Sequence, residues 1–457
     1  MKNDIMDIMI DASTYLRSLG IAHHPSAETM VGRLALVGEF RLNQGRGVIV
    51  RPKRGRVSAR YLNILEAEKV DYVIVDGSSS LSIFGRLPNG SCLEPLCALP
   101  VENPSTFPSE EILQLFTKLF SKVSRNQAVV LQLASRIFVS KLTDEDSDTK
   151  IFTSSLITDS SRSLVKEFMG ITEGFKISDK ESLSGLLGMI LALLAGYRVK
   201  PQSNNEVALL VEFLARLADK KTWGLSHKIS IAMTGRWAAG NRIMAASAVP
   251  GVQLLPLLGA SSGYAFLPSP FTVDNPLLRY LFPKTNFIDR DFLSWMPNTE
   301  AEAPDRLFVA PPIGFLVSAT DLPNLFDFDK RNRSRSITRA PMEALYVEHA
   351  LKLARPGALV VAVLPEGLLS NVGHAGFRKW VLEHSQLLAV LSLPPRTCSV
   401  ETDIRCSIVY LKKTDNAPSD YPIVMLEAEE KDLSNPEVQN RLGKEISDAL
   451  AGMEVGL

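Results

Sequence analysis

Apolar residues between positions 306 and 413 recur in two alternating patterns. Short apolar runs at Leu307–Val309, at 358–365 and at Leu387–Pro394 are typical of buried strands. Between the first two runs, Met342–Ala354 carries apolar residues three and four positions apart, and a Pro-Gly pair follows it, which predicts an amphipathic helix and its end. Strand, helix and strand in this order predict a parallel α/β sheet.

The same rhythm begins further upstream, near Lys228. We also considered Leu257–Gly263 as a cofactor loop, but too few residues remain there for a crossover helix. The expected elements are strand Lys228–Thr234, turn Gly235–Gly240, helix Asn241–Val249, strand Val252–Leu258, helix Asp274–Phe282 with Asp274 as its N-cap, and strand Asn286–Ile288.

The flanking regions have other patterns, so we expect the chain to have four parts. These are 1–100 mixed α/β, 101–225 helical, 226–415 Rossmann-like, and 416–457 a charged tail with a helix at Pro436–Met453. In the first part we expect helices at Met6–Leu19 and Tyr61–Glu68 and a strand at Asp71–Val75. Helical spacing occurs in the second at Glu110–Val123, Ala128–Leu142, Ser160–Met169, Leu183–Tyr197 and Asn205–Ala218.

Composition narrows the possible functions. The chain has 457 residues, 46% of them hydrophobic, and a formal net charge of zero, so any nucleic-acid contact must come from a local basic patch. No apolar run is long enough to span a membrane, and we expect a cytoplasmic protein. The four cysteines complete no zinc pattern, so we expect reduced thiols and no metal; they are Cys92, Cys97, Cys398 and Cys406.

Several motifs stand in a specific order in the C-terminal half. Ala310-Pro-Pro-Ile313 ends a strand, Leu364-Pro-Glu-Gly-Leu-Leu-Ser-Asn371 ends the next, and Phe377-Arg-Lys-Trp-Val381 and the run Leu387–Pro394 follow. This order resembles the N-6 adenine DNA methyltransferases, most closely the modification subunits of type I restriction systems. The resemblance implies an α/β fold, a Rossmann-like class I methyltransferase domain preceded by a helical domain, with S-adenosylmethionine as the cofactor of an active member.

The catalytic tetrapeptide of the family is Asn, Asp or Ser, then two prolines, then an aromatic residue. Its polar side chain and a proline carbonyl accept hydrogen bonds from the target amino group, and its ring stacks on the flipped base. In this sequence the four positions are Ala310, Pro311, Pro312 and Ile313, so the side-chain acceptor and the aromatic face are both missing. The substitutions predict a degenerate catalytic site.

The cofactor motif is degenerate as well. When the family's glycine-rich turn is laid after the expected first strand, only Gly235 matches, and Trp237 stands where a side chain would fill part of the pocket. No carboxylate directly follows the expected second strand to hold the ribose. Asp291 matches the acid that faces the adenine ring, although a helix-capping role for it is an equal alternative. We therefore expect no cofactor unless the protein is active.

A basic stretch lies between the tetrapeptide and the next helix. Its five cations could contact phosphates, or the stretch could be a solvated loop; they are Lys330, Arg331, Arg333, Arg335 and Arg339. His349 falls on the following helix, where we expect a packed histidine rather than a base.

Three functions remain open. The first is a catalytically degenerate DNA-binding subunit of a restriction-modification-like or phage-defence complex, with DNA and other subunits as partners. The second is an active N-6 adenine DNA methyltransferase in which the carbonyls of Pro311 and Pro312 activate the amino group. The third is a protein-interaction scaffold without DNA contact.

Overall fold

A computed structural model gives the fold of the chain, which forms two compact units, residues 1–201 and 202–457. The residues that it describes are 12–18, 21–31, 34–42, 45–52, 59–76, 81–86, 93–96, 99, 107–123, 127–146, 190, 193–194, 196–218, 242–247, 252–267, 275–288, 290–297, 302–318, 327–330, 339–398, 403–416, 420–432 and 435–454.

A six-stranded mixed sheet forms the beginning of the first unit. Its strands follow chain order, all neighbours are antiparallel except β3 and β4, and a helix connects that parallel pair. The predicted helix near Tyr61 and the strand near Tyr72 are confirmed. The elements are α1 Ala12–Ser18, β1 His23–Val31, β2 Leu34–Leu42, β3 Gly45–Pro52, α2 Ala59–Ala67, β4 Tyr72–Asp76, β5 Leu81–Arg86 and β6 Leu93–Leu96.

One glycine in this sheet is required by close packing. Gly47 on β3 lies directly opposite Phe40 on β2, and the buried Phe40 ring covers the glycine. A Cβ atom added to Gly47 would lie 2.2 Å from Cζ of that ring. The pair therefore fixes the local register of β2 and β3, because a side chain at position 47 would collide with the ring.

Two helices follow in the first unit, α3 at Glu110–Val123 and α4 at Gln127–Asp146, as predicted. The predicted helix 160–169 lies outside the described residues, as does most of the predicted helix 183–197. The next helix, α5 at Asn204–Ala218, belongs to the second unit. The predicted helical part of the chain is thus shared between the two units, and the four-part division of the chain stays a prediction.

The second unit is built on an eight-stranded sheet with the order β16-β14-β15-β13-β10-β7-β8-β9. All neighbouring strands are parallel except those that pair with β15. Its strands are β7 Arg242–Ser247, β8 Ser262–Phe266, β9 Thr285–Ile288, β10 Arg306–Ala310, β13 Leu359–Pro365, β14 Ser385–Ser392, β15 Cys406–Lys413 and β16 Val424–Glu427.

Helices and a small ribbon complete the second unit. The ribbon pairs β11 with β12 in antiparallel orientation. These elements are α6 Pro276–Leu281, β11 Leu316–Ser318, α7 Asp327–Lys330, β12 Arg339–Pro341, α8 Met342–Leu353, α9 Glu366–Ser370, α10 Ala375–His384 and α11 Pro436–Glu454.

The strand order identifies the fold. From β9 across to β14, the main strands appear in the order third, second, first, fourth, fifth, seventh and sixth along the chain, with the seventh reversed. The second unit therefore has the predicted α/β architecture, a Rossmann-like class I methyltransferase fold, with β16 added at one edge.

Two elements at the start of this sheet were predicted wrongly. Residues 242–247 form the central strand β7 instead of a helix. The pattern did not indicate a strand, because a strand buried on both faces is continuously apolar and shows no alternation. Val252–Gly259 is a 3-10 helix instead of a strand, and Pro256 within it has no N–H for a sheet ladder. The second strand is therefore β8, ten residues after the predicted position, while the predicted strand 228–234 lies outside the described residues.

The elements predicted from Met342 onward are confirmed. Helix α8 begins at Met342, and β13, β14 and α11 match their predicted segments within a few residues. Helix α10 contains the motif Phe377–Val381. Helix α11 begins where predicted, because Oδ1 of Asn435 accepts hydrogen bonds from the N–H groups of Glu437 and Val438. Among the described helices, none is long and apolar enough to cross a membrane.

Candidate functional site

The sheet of the second unit has a topological switch point between β7 and β10. The chain proceeds outward from β7 to β8 and β9, then returns to place β10 on the other side of β7. Parallel sheets of this kind bind ligands outside the carboxyl ends of the strands at the switch point. The last residues of the two strands, Ser247 and Ala310, pair with each other there, and both are buried. This edge is the candidate site.

The predicted catalytic tetrapeptide lies at this switch point, directly after β10. Ala310 and Ile313 are only 4% and 8% exposed, so their side chains are part of the packing. Neither offers a hydrogen-bond acceptor or an aromatic face to a substrate. The tetrapeptide therefore lies at the switch point with apolar side chains at its two variable positions, and its catalytic assignment stays a prediction.

A buried carboxylate holds the turn that follows the tetrapeptide. Oε1 of Glu343 accepts a hydrogen bond from the backbone N–H of Gly314 at 2.6 Å. Gly314 has a φ of +86°, a conformation that favours glycine. Burial raises the pKa of Glu343 above its ordinary value. Sequence reasoning missed this residue, although a Glu in the first turn of a predicted helix is a detectable signal.

The carboxyl end of β8 is occupied by apolar side chains. Phe266 and Leu267 are buried, and the Phe266 ring packs against Phe292 and Trp295 with centroid separations of 5.4 Å and 5.2 Å. A methyltransferase of this fold needs a carboxylate here for the ribose of S-adenosylmethionine. In the sequence, the first acid after β8 is Asp274. The residues described at this strand end therefore do not fit the cofactor.

The residues assigned to the glycine-rich turn, Gly235 and Trp237, lie outside the described residues. They also precede β7, which occupies the first-strand position of the sheet. A turn that follows this strand would contain residues 248–251, which likewise lie outside the described part of the chain. The assignment of Gly235 and Trp237 to the cofactor turn therefore stays a prediction. It assumed a first strand at 228–234, whereas β7 at Arg242–Ser247 holds that position in the sheet.

Asp291 follows β9 and caps a short 3-10 helix, Phe292–Ser294. Its Oδ1 accepts a hydrogen bond from the Leu293 N–H at 3.4 Å, and its side chain is exposed. Burial raises the pKa of the neighbouring Tyr346, and the negative charge of Asp291 raises it further. The capping role is thus present, and contact with an adenine ring stays a prediction. The N-cap of α6 is Asn275 instead of the predicted Asp274, because Asn275 Oδ1 accepts from Leu278 N–H.

The basic stretch is described only at its two flanks. On one side Lys330 ends α7, which is tied to α8: Glu348 Oε1 accepts from the Asp327 N–H at 3.0 Å, and Lys352 Nζ lies 2.7 Å from Asp327 Oδ2. On the other side Arg339 is exposed on β12. Three of the predicted DNA contacts lie outside the described residues, namely Arg331, Arg333 and Arg335.

Two other side chains near this edge have structural roles. His349 is packed, as predicted: its ring Nε2 donates to the Trp295 carbonyl at 2.9 Å, and burial lowers its pKa to about 4. The Asn371 carbonyl accepts a hydrogen bond from Arg378 at 2.7 Å and shapes the turn after α9. Across the described residues, no cluster of three or more His, Cys, Asp or Glu side chains could hold a metal ion.

Comparison with known proteins gives a family match for part of the chain. Residues 323–451 match the family model of the N-6 DNA methylases. Three similar solved structures are the type IIG restriction endonuclease BpuSI, a type I restriction-modification methyltransferase subunit from Streptococcus thermophilus, and DrdV in complex with DNA. Their sequence identities are 15%, 16% and 11%, and their TM-scores are 0.47, 0.42 and 0.43.

Coverage differs among these structures. The matches cover 98%, 70% and 96% of this chain, and 59%, 75% and 58% of BpuSI, the Streptococcus subunit and DrdV. The chain thus spans about three fifths of the length of BpuSI and of DrdV. Scores of this size do not carry an assignment of function, and no curated protein matches the chain. The family match over 323–451 confirms, for that segment, the predicted resemblance to the N-6 adenine DNA methyltransferases.

Proposed function

We propose that this protein is a DNA-methyltransferase-like subunit of a restriction-modification-type or phage-defence complex, which holds DNA and has lost most or all methyl transfer. The observation that carries the proposal is the buried Ala310 at the switch point, in the position of the polar acceptor of the family. Losing one such acceptor costs roughly 3–4 kcal/mol of transition-state stabilisation.

Two further features support weak or absent catalysis. Ile313 is buried and has no π-face, and stacking on a target base is worth about 1–3 kcal/mol. The buried Phe266 and Leu267 stand where the ribose carboxylate would be needed. Groups needed for the target base are thus missing after β10, and the group needed for the cofactor ribose is missing at the end of β8. The strand order of the methyltransferase fold is nevertheless retained.

DNA holding is supported by the position of the basic stretch. Its two described flanks, α7 and β12, belong to the segment that connects the end of β10 with α8. Cations on a connection that leaves the ligand-binding edge are well placed to neutralise phosphates. Because the chain as a whole has no net charge, such local cations would supply the electrostatic part of the affinity.

Charge reversal of the basic stretch tests this function. Fluorescence anisotropy of labelled duplex DNA would be measured over a range of salt concentrations for the full chain and for a variant with glutamate at 331, 333, 335 and 339. A matched control reverses four exposed cations elsewhere in the second unit, Lys379, Lys431, Arg441 and Lys444.

We expect weaker binding and a shallower salt dependence only in the variant with glutamate at 331, 333, 335 and 339. The slope of the logarithm of the binding constant against the logarithm of the salt concentration should shrink by about 0.9 for each phosphate contact removed. Equal binding by both variants would reject the basic stretch as the DNA contact. No DNA binding by the parent chain would leave the interaction-scaffold function. Methylation of adenine in the bound duplex would instead identify an active methyltransferase.

A further inference from the structure

Helix α7 is a single turn, so its stability must come from the elements on which it packs. It has four residues, and an isolated helix of that length is not stable in water. The buried Phe328 ring packs edge-on against Phe377 of α10, with a centroid separation of 5.6 Å. A Cβ atom added to Gly376, in the first turn of α10, would lie 3.7 Å from the Phe328 carbonyl oxygen. Helix α7 is therefore docked closely on α10.

A charge cluster joins α7 to α8 as well, and it consists of Asp327, Glu348 and Lys352. The Glu348 side chain is fully buried, and its Oε1 accepts hydrogen bonds from the Asp327 N–H at 3.0 Å and from Lys352 Nζ at 2.6 Å. Lys352 Nζ also lies 2.7 Å from Asp327 Oδ2. The cluster thus binds both the backbone and the side chain of the first residue of α7.

Such a cluster contributes more to position than to stability. A buried carboxylate is costly unless it is paired and hydrogen-bonded, and apolar side chains of similar volume commonly give equal or greater stability. An apolar contact, however, tolerates sliding, whereas the hydrogen bonds of the charge cluster are satisfied only when Asp327 lies at one place. The charge cluster therefore specifies where α7 lies on α8.

The position of α7 bears on the basic stretch that follows it. Lys330 is the last residue of α7 and the first of the five cations of that stretch. The helix belongs to the connection that leaves β10 at the ligand-binding edge. A residue on a docked helix loses less conformational freedom on binding than a residue on a loose segment, so its contact with a phosphate is more favourable.

We infer that Asp327, Glu348 and Lys352 are positioning residues for DNA binding, which hold α7 so that Lys330 meets a phosphate from an ordered backbone. This inference rests on the proposed DNA-holding function and adds three residues that act through Lys330 and do not touch the DNA. It also predicts a sign. If Asp327 acted on DNA through its charge alone, its removal would strengthen binding, whereas loss of a positioning residue weakens it.

The first test is fluorescence anisotropy of labelled duplex DNA with the full chain and with Asp327→Asn. This variant keeps the buried pair of Glu348 and Lys352, so the chain should fold, and it should bind DNA roughly two- to fivefold more weakly. The control is Asp415→Asn, which removes the partner of Lys413 beside the amino end of β13, at the opposite edge of the sheet. It should leave DNA binding unchanged.

The second test asks whether the charge cluster acts through Lys330. Lys330→Gln should weaken binding by the parent chain and reduce its salt dependence by about 0.9 in the slope. The same change made in the Asp327→Asn background should have a much smaller effect. Guanidinium unfolding followed by tryptophan fluorescence would establish that each variant is folded during the binding measurement. A merely structural cluster would change the stability and leave the DNA affinity of the folded protein unaltered.

The outcomes separate the inference from the function on which it rests. An Asp327→Asn variant that binds DNA as tightly as the parent, or more tightly, would overturn the inference and leave the DNA-holding function intact. Equal effects of Lys330→Gln in the two backgrounds would also overturn it. Failure of the parent chain to bind DNA would overturn the proposed function and the inference together.

Discussion

Replacing Phe266 with alanine tests whether the end of β8 is packed core or an adaptable cofactor pocket. The ring is 2% exposed and lies between Phe292 and Trp295, with centroid separations of 5.4 Å and 5.2 Å. Truncation of a phenylalanine in such surroundings removes its buried area and both ring contacts and leaves a cavity. The expected cost is about 3–5 kcal/mol of unfolding free energy.

The assay is guanidinium unfolding followed by tryptophan fluorescence. All four tryptophans of the chain lie between residues 202 and 457, so the signal reports the second unit alone. Phe315→Ala is the matched control, because it deletes the same side chain at a neighbouring strand end where the ring is exposed. That variant should change the unfolding free energy by no more than about 0.5 kcal/mol.

Two results would refute the packing of Phe266 as described. One is a Phe266→Ala variant as stable as Phe315→Ala, which would mean that the ring contributes little to the core. The other is a folded Phe266→Ala variant that gains saturable binding of S-adenosylmethionine, which would show that the ring closes a cofactor site.

Three further predictions concern other parts of the molecule. Gly47→Ala should destabilise the first unit by roughly 1–3 kcal/mol, which amide hydrogen exchange in β2 and β3 would measure. The control Gly373→Ala should leave stability unchanged, because no atom lies within 4 Å of its added Cβ. Combined Ala310→Asn and Ile313→Phe substitutions should restore no methyl transfer to adenine DNA, since the end of β8 remains apolar; measurable turnover would contradict this. The pKa of folded His349 is about 4 against an ordinary 6.5, so the second unit should lose stability as pH falls from 6.5 toward 4, by up to roughly 3 kcal/mol, and His349→Gln should flatten that fall.

The sequence was most informative where local signals agreed with one another. Helix α8 has helical spacing and ends before a Pro-Gly pair, and α11 begins with an asparagine cap and a proline in its first turn. The strands β13 and β14 are long apolar runs between such signals. The tetrapeptide could be placed at a strand end for the same reason, because the apolar run Leu307–Val309 directly precedes Ala310.

The first two strands of the second unit could not be placed in this way. The residues of β7 are buried on both sides, so their pattern has neither the alternation of an exposed strand nor a clear helical face. The apolar run Val252–Gly259 resembles a strand until its proline is considered, and β8 is short and contains Gly263. The aromatic packing of Phe266 depends on long-range contacts, which local patterns do not contain.

Calorimetric titration of the purified full chain with S-adenosylmethionine tests the central claim most directly, with a catalytically intact N-6 adenine methyltransferase measured beside it as a control. Circular dichroism of the same sample would establish that the chain is folded. The account predicts no saturable heat from the folded protein under conditions in which the control binds. Saturable binding would contradict it, because a chain that holds the methyl donor has kept the cofactor half of the catalytic site.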